Sequence, residues 1–462
     1  MKQKTKIEAF LREELAREHR QEHPLFIYLK SKAQEFFWTL SRIFGFSHWH
    51  DGRWRAPDAQ QAAALRSDLF GDIPAPALTR RLFLDMTATH RYQKHTGVQR
   101  VVREIARVCV MSGSAIPIFI ENGRIFSHFR HENLPDEFDL SSGDRIFLLD
   151  SGWGSWQEYL SLVTQARAAE VKLIGCLYDV IPLLYPDAVE EANCAAFHQW
   201  FAHVLSQCDA LICISKSVAL DYLAYLQEMP IQDLRTRQLG WFPLGADFET
   251  KNILAATPVV EEFITKNQSF FLSVGTIEPR KAYPIALAAF ETLWAQGDAR
   301  VYVIVGRAGW NTIALQMAIK SHAEYGRRLY WFADANDADL RLFYQHAQAL
   351  VFPSFAEGFG MPLVEALYYG ASVIASDIPV FREVGGDDVR YFSLLDADSL
   401  QKEILATDQM VKKKGRPRLI SWQESASHLV DMINHDSYQI NQSQWAGHFS
   451  RQDLSEEGRI KN

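Results

Sequence analysis

The chain has 462 residues and a formal net charge of −8. Single hydrophobic cores stop growing near ~250–300 residues, so this length implies two or three domains. A composition of 48% hydrophobic and 23% charged residues excludes a disordered chain, a collagen and a coiled coil. No apolar run approaches the ~18–20 residues that a membrane-spanning helix needs, and Met1–Lys6 leads into no apolar signal core. The overall acidity argues against a dedicated nucleic-acid binder. The five cysteines, Cys109, Cys176, Cys194, Cys208 and Cys213, are odd in number and form no CxxC pair. Cys176 and Cys213 sit inside apolar runs and read as buried structural thiols, and the cysteine usage fits a reducing, cytoplasmic compartment.

The first 78 residues form a helical extension unlike the rest. Residues 1–50 carry nine Lys/Arg against six Asp/Glu, a balance of +3, which leaves −11 for the other 412. Lys2 to Glu22 has a mixed-charge helical pattern. Beyond Pro24, apolar residues at 26, 29, 33, 36, 37, 40, 43 and 44 share one helical face, flanked by Lys30, Lys32 and Arg42. A basic, aromatic helix over residues 25–46 suits a membrane interface. It equally suits packing on the protein's own body.

From residue 79 to 245, short apolar strands alternate with amphipathic helices. Strands are expected at Arg81–Thr87, Ile116–Ile120, Arg145–Ser151, Lys172–Asp179 and Ala210–Ser215, with helices at about 97–111, 155–169, 190–207 and 216–227. Such alternation implies a parallel sheet covered on both faces. Residues 246–268 read as a linker. A second series fills 269–420, with strands at Phe270–Thr276, Arg300–Gly306, Arg328–Ala333, Ala349–Ser354, Ser372–Ser376 and Val389–Phe392. A final helix is expected over 421–440, then a polar tail over 441–462. The fold class is α/β, with two Rossmann-like, doubly wound domains facing a cleft. Ligands of open α/β sheets bind outside the carboxyl ends of the strands.

The residues that carry chemistry sit at those ends. Ser354–Ala366 follows a strand with Glu357, Gly358, Phe359, Gly360, Met361 and Pro362, then Glu365. The glycines permit a tight turn and close approach of backbone to ligand. Pro362 suits a helix's first turn, whose free N–H groups attract anions. Two carboxylates beside such a pocket fit a ligand that bears both hydroxyls and phosphates. Gly275-Thr276 turns out of another strand and is followed by Arg280 and Lys281, two cations suited to phosphate. Gly306 and Gly309 would shape a loop for a flat base, with Trp310 either lining it or packing. In the first half, Gly97, Val98, Gln99 and Arg100 read as a βα loop able to contact phosphate or sugar. Asp179 ends a strand, where its carboxylate would either face the cleft or cap the local backbone. No GxGxxG follows a strand, and GxxxxGK[ST], GxSxG and metal-ligand spacings are absent.

In these motifs the sequence resembles family 4 glycosyltransferases, a retaining, nucleotide-sugar-dependent group with the GT-B fold, over roughly residues 81–435. The Glu-x7-Glu pair matches Glu357 and Glu365 around an intact Gly-Phe-Gly-x-Pro turn. Val274–Lys281 matches the Val-Gly-Thr-x-Glu-Pro-Arg-Lys segment of the bacterial polysaccharide branch. Gly309-Trp310, Asp339-Leu340 with Tyr344, Ser421–Ala426, Thr96–Arg100 and Asp179–Pro182 also match. The resemblance implies that Glu365 bonds the nucleotide ribose. Glu357 and the Phe359–Met361 backbone would hold the donor sugar, and Lys281 with Arg280 would neutralise the diphosphate. Many relatives carry arginine where Thr276 stands, which shifts phosphate charge onto Arg280. They often carry histidine where Tyr178 stands, which leaves Asp179 as the first-domain group for the sugar. The implied activity is transfer of a sugar, mannose first, from a GDP-, UDP- or dTDP-sugar without a metal. The implied acceptor is a lipid-linked or growing surface polysaccharide at the inner face of the cytoplasmic membrane. An epimerase or phosphorylase on the same fold, or a non-catalytic membrane-associated scaffold, is the competing reading.

Overall fold

The computed structural model describes residues 2–21, 80–92, 97–128, 135–228, 238–248, 255–267, 269–407 and 419–441. The segment 25–46 and the tail beyond 441 lie outside them. The chain opens with helix α1 (Lys2–Gln21). Strand β1 (Leu82–Asp85) leads to α2 (Gly97–Met111), then β2 (Ile116–Glu121), β3 (Arg124–Ser127), β4 (Glu137–Phe138) and β5 (Arg145–Leu148). Next come α3 (Trp156–Ala168), β6 (Lys172–Leu177), α4 (Glu191–His203), β7 (Ala210–Cys213), α5 (Lys216–Glu228) and β8 (Gln238–Trp241). The second series runs α6 (Pro258–Lys266), β9 (Phe270–Val274), α7 (Tyr283–Ala295), β10 (Tyr302–Val305), α8 (Ile313–Ser321) and β11 (Leu329–Phe332). It continues through α9 (Asp337–His346), β12 (Ala347–Phe352), α10 (Met361–Tyr369), β13 (Ser372–Ser376), β14 (Arg390–Phe392) and α11 (Ala397–Ala406). Helix α12 (Trp422–His435) and β15 (Ile440–Asn441) close the described chain.

Two compact units result. Among the described residues, one holds those within 80–184, 192–245 and 420–441, and the other those within 2–21, 185–191 and 246–419. In the first, nine strands take the order β15-β8-β7-β6-β5-β1-β2-β3-β4. The run from β8 to β2 is parallel, and both margins are antiparallel. Ladders of Val, Ile, Leu and Phe are buried on both faces because helices cover them, which explains their continuous apolar sequences. In the second, six parallel strands take the order β11-β10-β9-β12-β13-β14, with a core around Phe271, Phe290, Tyr302 and Ile304.

Three expectations need correction. Residues 246–268 are not a plain linker, since they contain α6, with proline at its first turn and Val260, Phe263 and Ile264 buried. Gly97, Val98, Gln99 and Arg100 do not form a loop. They are the first turn of α2, drawn into helix by the apolar spacing of Val101, Val102 and Ile105. The β2–β3 hairpin was missed, although Asn122-Gly123 at its tip marks a two-residue turn, and both residues adopt positive φ (51° and 75°).

Helix α12 belongs to the same unit as β1–β8. Ser421 and Glu424 form a reciprocal capping box, and Trp422 is fully buried against Gly245. Ser421→Ala is expected to cost about 1 kcal/mol, and Trp422→Ala about 3–5 kcal/mol, each read as a lowered urea midpoint.

Candidate functional site

The loops after β9, β10 and β12 converge at the carboxyl edge of the six-stranded sheet, within one unit. The first two are joined backbone to backbone. Ile277 N–H donates to the Arg307 carbonyl (2.8 Å), and Ile277 bridges Ala308. Gly306, at φ 152°, lies so close that a Cβ there would sit 2.1 Å from the Gly275 carbonyl oxygen. No side chain fits at that crossing. Tyr283 Oη donates to the same Gly275 oxygen (2.7 Å), and Thr312 Oγ1 to the Ile277 oxygen (3.1 Å).

From this frame a short 3-10 turn, Pro279–Lys281, leads into Ala282, which takes a left-handed φ of 46°. A non-glycine residue held in that region marks local strain of about 1–3 kcal/mol. The turn brings Arg280 and Lys281 onto the β12 loop. Lys281 Nζ donates to Glu357 Oε1 (2.6 Å), and Arg280 Nη1 lies 2.6 Å from Glu357 Oε2. Arg280 Nη2 also reaches Glu278 (2.5 Å), and the Phe355 N–H donates to the Arg280 carbonyl (3.0 Å). Glu278 and Lys281 are buried, and the Glu357 side chain is only 8% exposed. Burial alone would raise the Glu357 pKa, but Arg280 and then Lys281 outweigh it and hold the carboxyl down at about 2. Burial draws the Lys281 ammonium below its ordinary range, with Glu357 opposing.

Gly360 caps the start of α10 at φ 94°, and a Cβ there would meet the Phe381 ring at 2.8 Å. Glycine is therefore required both by conformation and by space. In the first turn of α10 Pro362 has no N–H and the Leu363 N–H donates to the Gly360 carbonyl (2.9 Å), which leaves the N–H groups of Gly360 and Met361 without a helical partner. Glu365 lies one turn further on, buried, and accepts from Tyr344 Oη (2.7 Å). Tyr344 comes from α9, whose own start is fixed by the Asn336–Asp339 capping box. The structure thus brings together Gly275, Thr276, Arg280, Lys281, Gly306, Glu357 and the Gly358–Met361 turn, with Glu365 on the helix behind it.

Asp179 and residues 97–100 belong to the other unit. Asp179 Oδ1 accepts from the Ile181 N–H (3.0 Å), so it caps the short helix Ile181–Leu184. Tyr178 is buried, and its hydroxyl donates to the Leu149 carbonyl (2.8 Å). Trp310 is half-buried and donates to the Ala188 carbonyl (3.1 Å). Sequence reasoning gave no role to Glu278 or Tyr283. Glu278 lies two residues before Arg280, a spacing that signals the pair, whereas Tyr283 carries no local mark.

Two α/β units with this loop cluster at a carboxyl edge have the GT-B fold. The likeness to a solved structure agrees: the sucrose-phosphate synthase of Thermosynechococcus elongatus superposes with a TM-score of 0.54 at 16% identity, covering 78% of this chain and 99% of that one. Residues 259–406, which hold the whole cluster, match the model of the family "Glycosyl transferases group 1". The serotype-specific mannosyltransferase WbdA of Escherichia coli is 30% identical over 375 residues, covering 76% of this chain and 45% of the relative. The O-antigen chain mannosyltransferase B of Escherichia coli is 31% identical over 169 residues, covering 36% of this chain and 43% of that one. The chain therefore spans somewhat less than half the length of these curated relatives.

Breaking a buried ion pair by removing one partner costs about 3–5 kcal/mol. Glu357→Gln should lower stability by that order at neutral pH. Because the folded pKa is depressed, the stabilisation is present above about 4.5, the ordinary value, and is lost as pH falls toward about 2. Denaturation curves of the wild type and Glu357→Gln should therefore separate at pH 7 and converge in acid. A constant gap would contradict the ion pairing.

Proposed function

We propose that the protein is a retaining glycosyltransferase that moves mannose from a nucleotide diphosphate donor to a growing or lipid-linked surface polysaccharide. The observation that carries this reading is the Glu357–Arg280–Lys281 cluster at the start of α10, with Glu365 one turn behind. The names of the Escherichia coli relatives, both mannosyltransferases, support mannose as the sugar. On this reading Glu365 holds the ribose, oriented by Tyr344. Glu357 and the Phe359–Met361 backbone hold the sugar hydroxyls. Arg280 and Lys281 take the diphosphate, with Gly275, Thr276 and Gly306 shaping the loops against it.

The chemistry follows from charge. Breaking the glycosyl–phosphate bond builds positive charge on the sugar and negative charge on the departing diphosphate. Arg280, Lys281 and the N–H groups of α10 stabilise the latter, and fixed donors in a dry site cost no reorganisation. Arg280 and Lys281 each engage one carboxylate oxygen of Glu357. On this reading it positions the sugar rather than attacking it. Transfer from the front face with retention is consistent with this role. Asp179 is the first-domain group for the donor sugar, and the α2 start (Gly97–Arg100) serves the acceptor side.

Transfer from GDP-mannose, with UDP- and dTDP-sugars as alternatives, is the assay. Glu357→Ala should lose about 10²–10³-fold in transfer while circular dichroism remains native. Arg280→Ala with Lys281→Ala should weaken nucleotide diphosphate binding in calorimetry by at least about tenfold, the loss of one charge-assisted contact. Near-normal transfer by folded Glu357→Ala would sink the assignment.

Among the described residues no helix is long and apolar enough to cross a membrane. Access to a lipid-linked acceptor at the inner face of the cytoplasmic membrane is assigned to residues 25–46, which lie outside the described residues, by their basic and aromatic sequence. Lys30→Glu, Lys32→Glu and Arg42→Glu together should abolish flotation with anionic vesicles while sparing transfer to a soluble acceptor. Unchanged flotation would remove this part of the reading.

A further inference from the structure

Helix α1 has no role in the reading above, yet it is docked on the same unit as the donor loops. Its inward stripe is narrow. Ile7, Leu11 and Glu18 are buried, and Phe10, Glu14 and Leu15 are half-buried. Positions 7, 11, 14, 15 and 18 fall on one helical face.

Three contacts fix the course of that face. Lys6 Nζ donates to the Leu394 carbonyl (2.5 Å), just past β14. Phe10 meets Phe355 edge-on, ring centroids 6.2 Å apart, just past β12. The Glu18 carboxylate accepts from the N–H groups of Ile313 (2.9 Å) and Ala314 (2.8 Å), at the start of α8 and past β10. The intervening sheet order is β10-β9-β12-β13-β14. Lys6 to Glu18 is twelve residues, or ~18 Å of helix. From β14 to β10 is four strand spacings, or ~19 Å. The helix therefore crosses the carboxyl edge of the sheet from one side to the other. Its path runs over the ends of β9 and β12, from which the Gly275–Lys281 and Phe355–Met361 loops arise.

That edge is where an open α/β sheet takes its ligand. Glu18 adds a charge of the same sign as a diphosphate and occupies two free N–H groups of α8. The geometry points to α1 as a displaceable strap: docked, it covers the donor loops, and a nucleotide diphosphate binds productively only when α1 lifts away. This inference rests on the donor-site reading above. Donor binding and α1 docking then compete for one surface. The apparent affinity for nucleotide is reduced by the fraction of molecules in which α1 is docked.

The test uses the full chain with GDP and UDP as probes, in calorimetry and in hydrogen exchange. Phe10→Ala with Glu18→Ala should bind nucleotide at least about fivefold more tightly than wild type, the release of the docked fraction. Arg17→Ala, on the exposed side of α1, should leave affinity unchanged. In the wild type, added nucleotide should speed exchange of the α1 amides. Equal or weaker binding by a folded double variant overturns the strap and leaves the donor site standing. If Glu18→Ala fails to fold, Phe10→Ala alone and the wild-type exchange decide, and α1 amides that slow or stay unchanged on nucleotide binding overturn it. Binding by neither the wild type nor the variant overturns the donor-site reading and the strap with it.

Discussion

Glu357 is a carboxylate shut away from water between a guanidinium and an ammonium. A buried charge is costly unless its partners are close and well aligned, and here both are at 2.6 Å. The pairing ties together two loops that are 76 residues apart in the chain. It also explains why each loop has its shape. The β9 loop must turn tightly enough, through the strained Ala282, to bring consecutive cations onto one carboxylate. The β12 loop must end in a glycine-initiated helix so that the carboxylate and the free N–H groups share one edge.

Glu278 completes the balance. Arg280 and Lys281 face Glu278 and Glu357, so the cluster holds two positive and two negative charges without ligand. Under the proposed function, a diphosphate would meet cations already oriented and already desolvated, in a site where fixed charges act strongly. Behind the cluster, Glu365 accepts from Tyr344, and Tyr344 sits on the capped helix α9. The two carboxylates of one motif are thus held by side chains from different elements.

Much of this was legible in the sequence, for a physical reason. Buried parallel strands read as short apolar runs, and the glycines, cations and acids that follow them stand out against those runs. Glu357, Glu365, Arg280 and Lys281 stand out this way as candidates, and the six strands of the second unit lie within a few residues of their expected places. Gly97–Arg100 was misjudged because a lone glycine marks a helix start as readily as a loop. The α6 segment was read as linker although Thr257-Pro258 and the spacing of Val260, Phe263 and Ile264 announced it. The docking of α1 had no sequence signal at all. Glu18 and Ile313 are 295 residues apart, and only the folded sheet edge brings them together. A mixed-charge helix looks the same in sequence whether it is free or strapped across a site.

The proposed function requires that the edge built around Glu357 receives a nucleotide diphosphate. A crystal structure of the full chain soaked with GDP or UDP decides this. The diphosphate is expected within hydrogen-bond distance of Arg280 and Lys281 and of the N–H groups at the start of α10, with the ribose on Glu365. A nucleotide bound elsewhere, with the Glu357 ion pairs and Glu365 untouched, would contradict it.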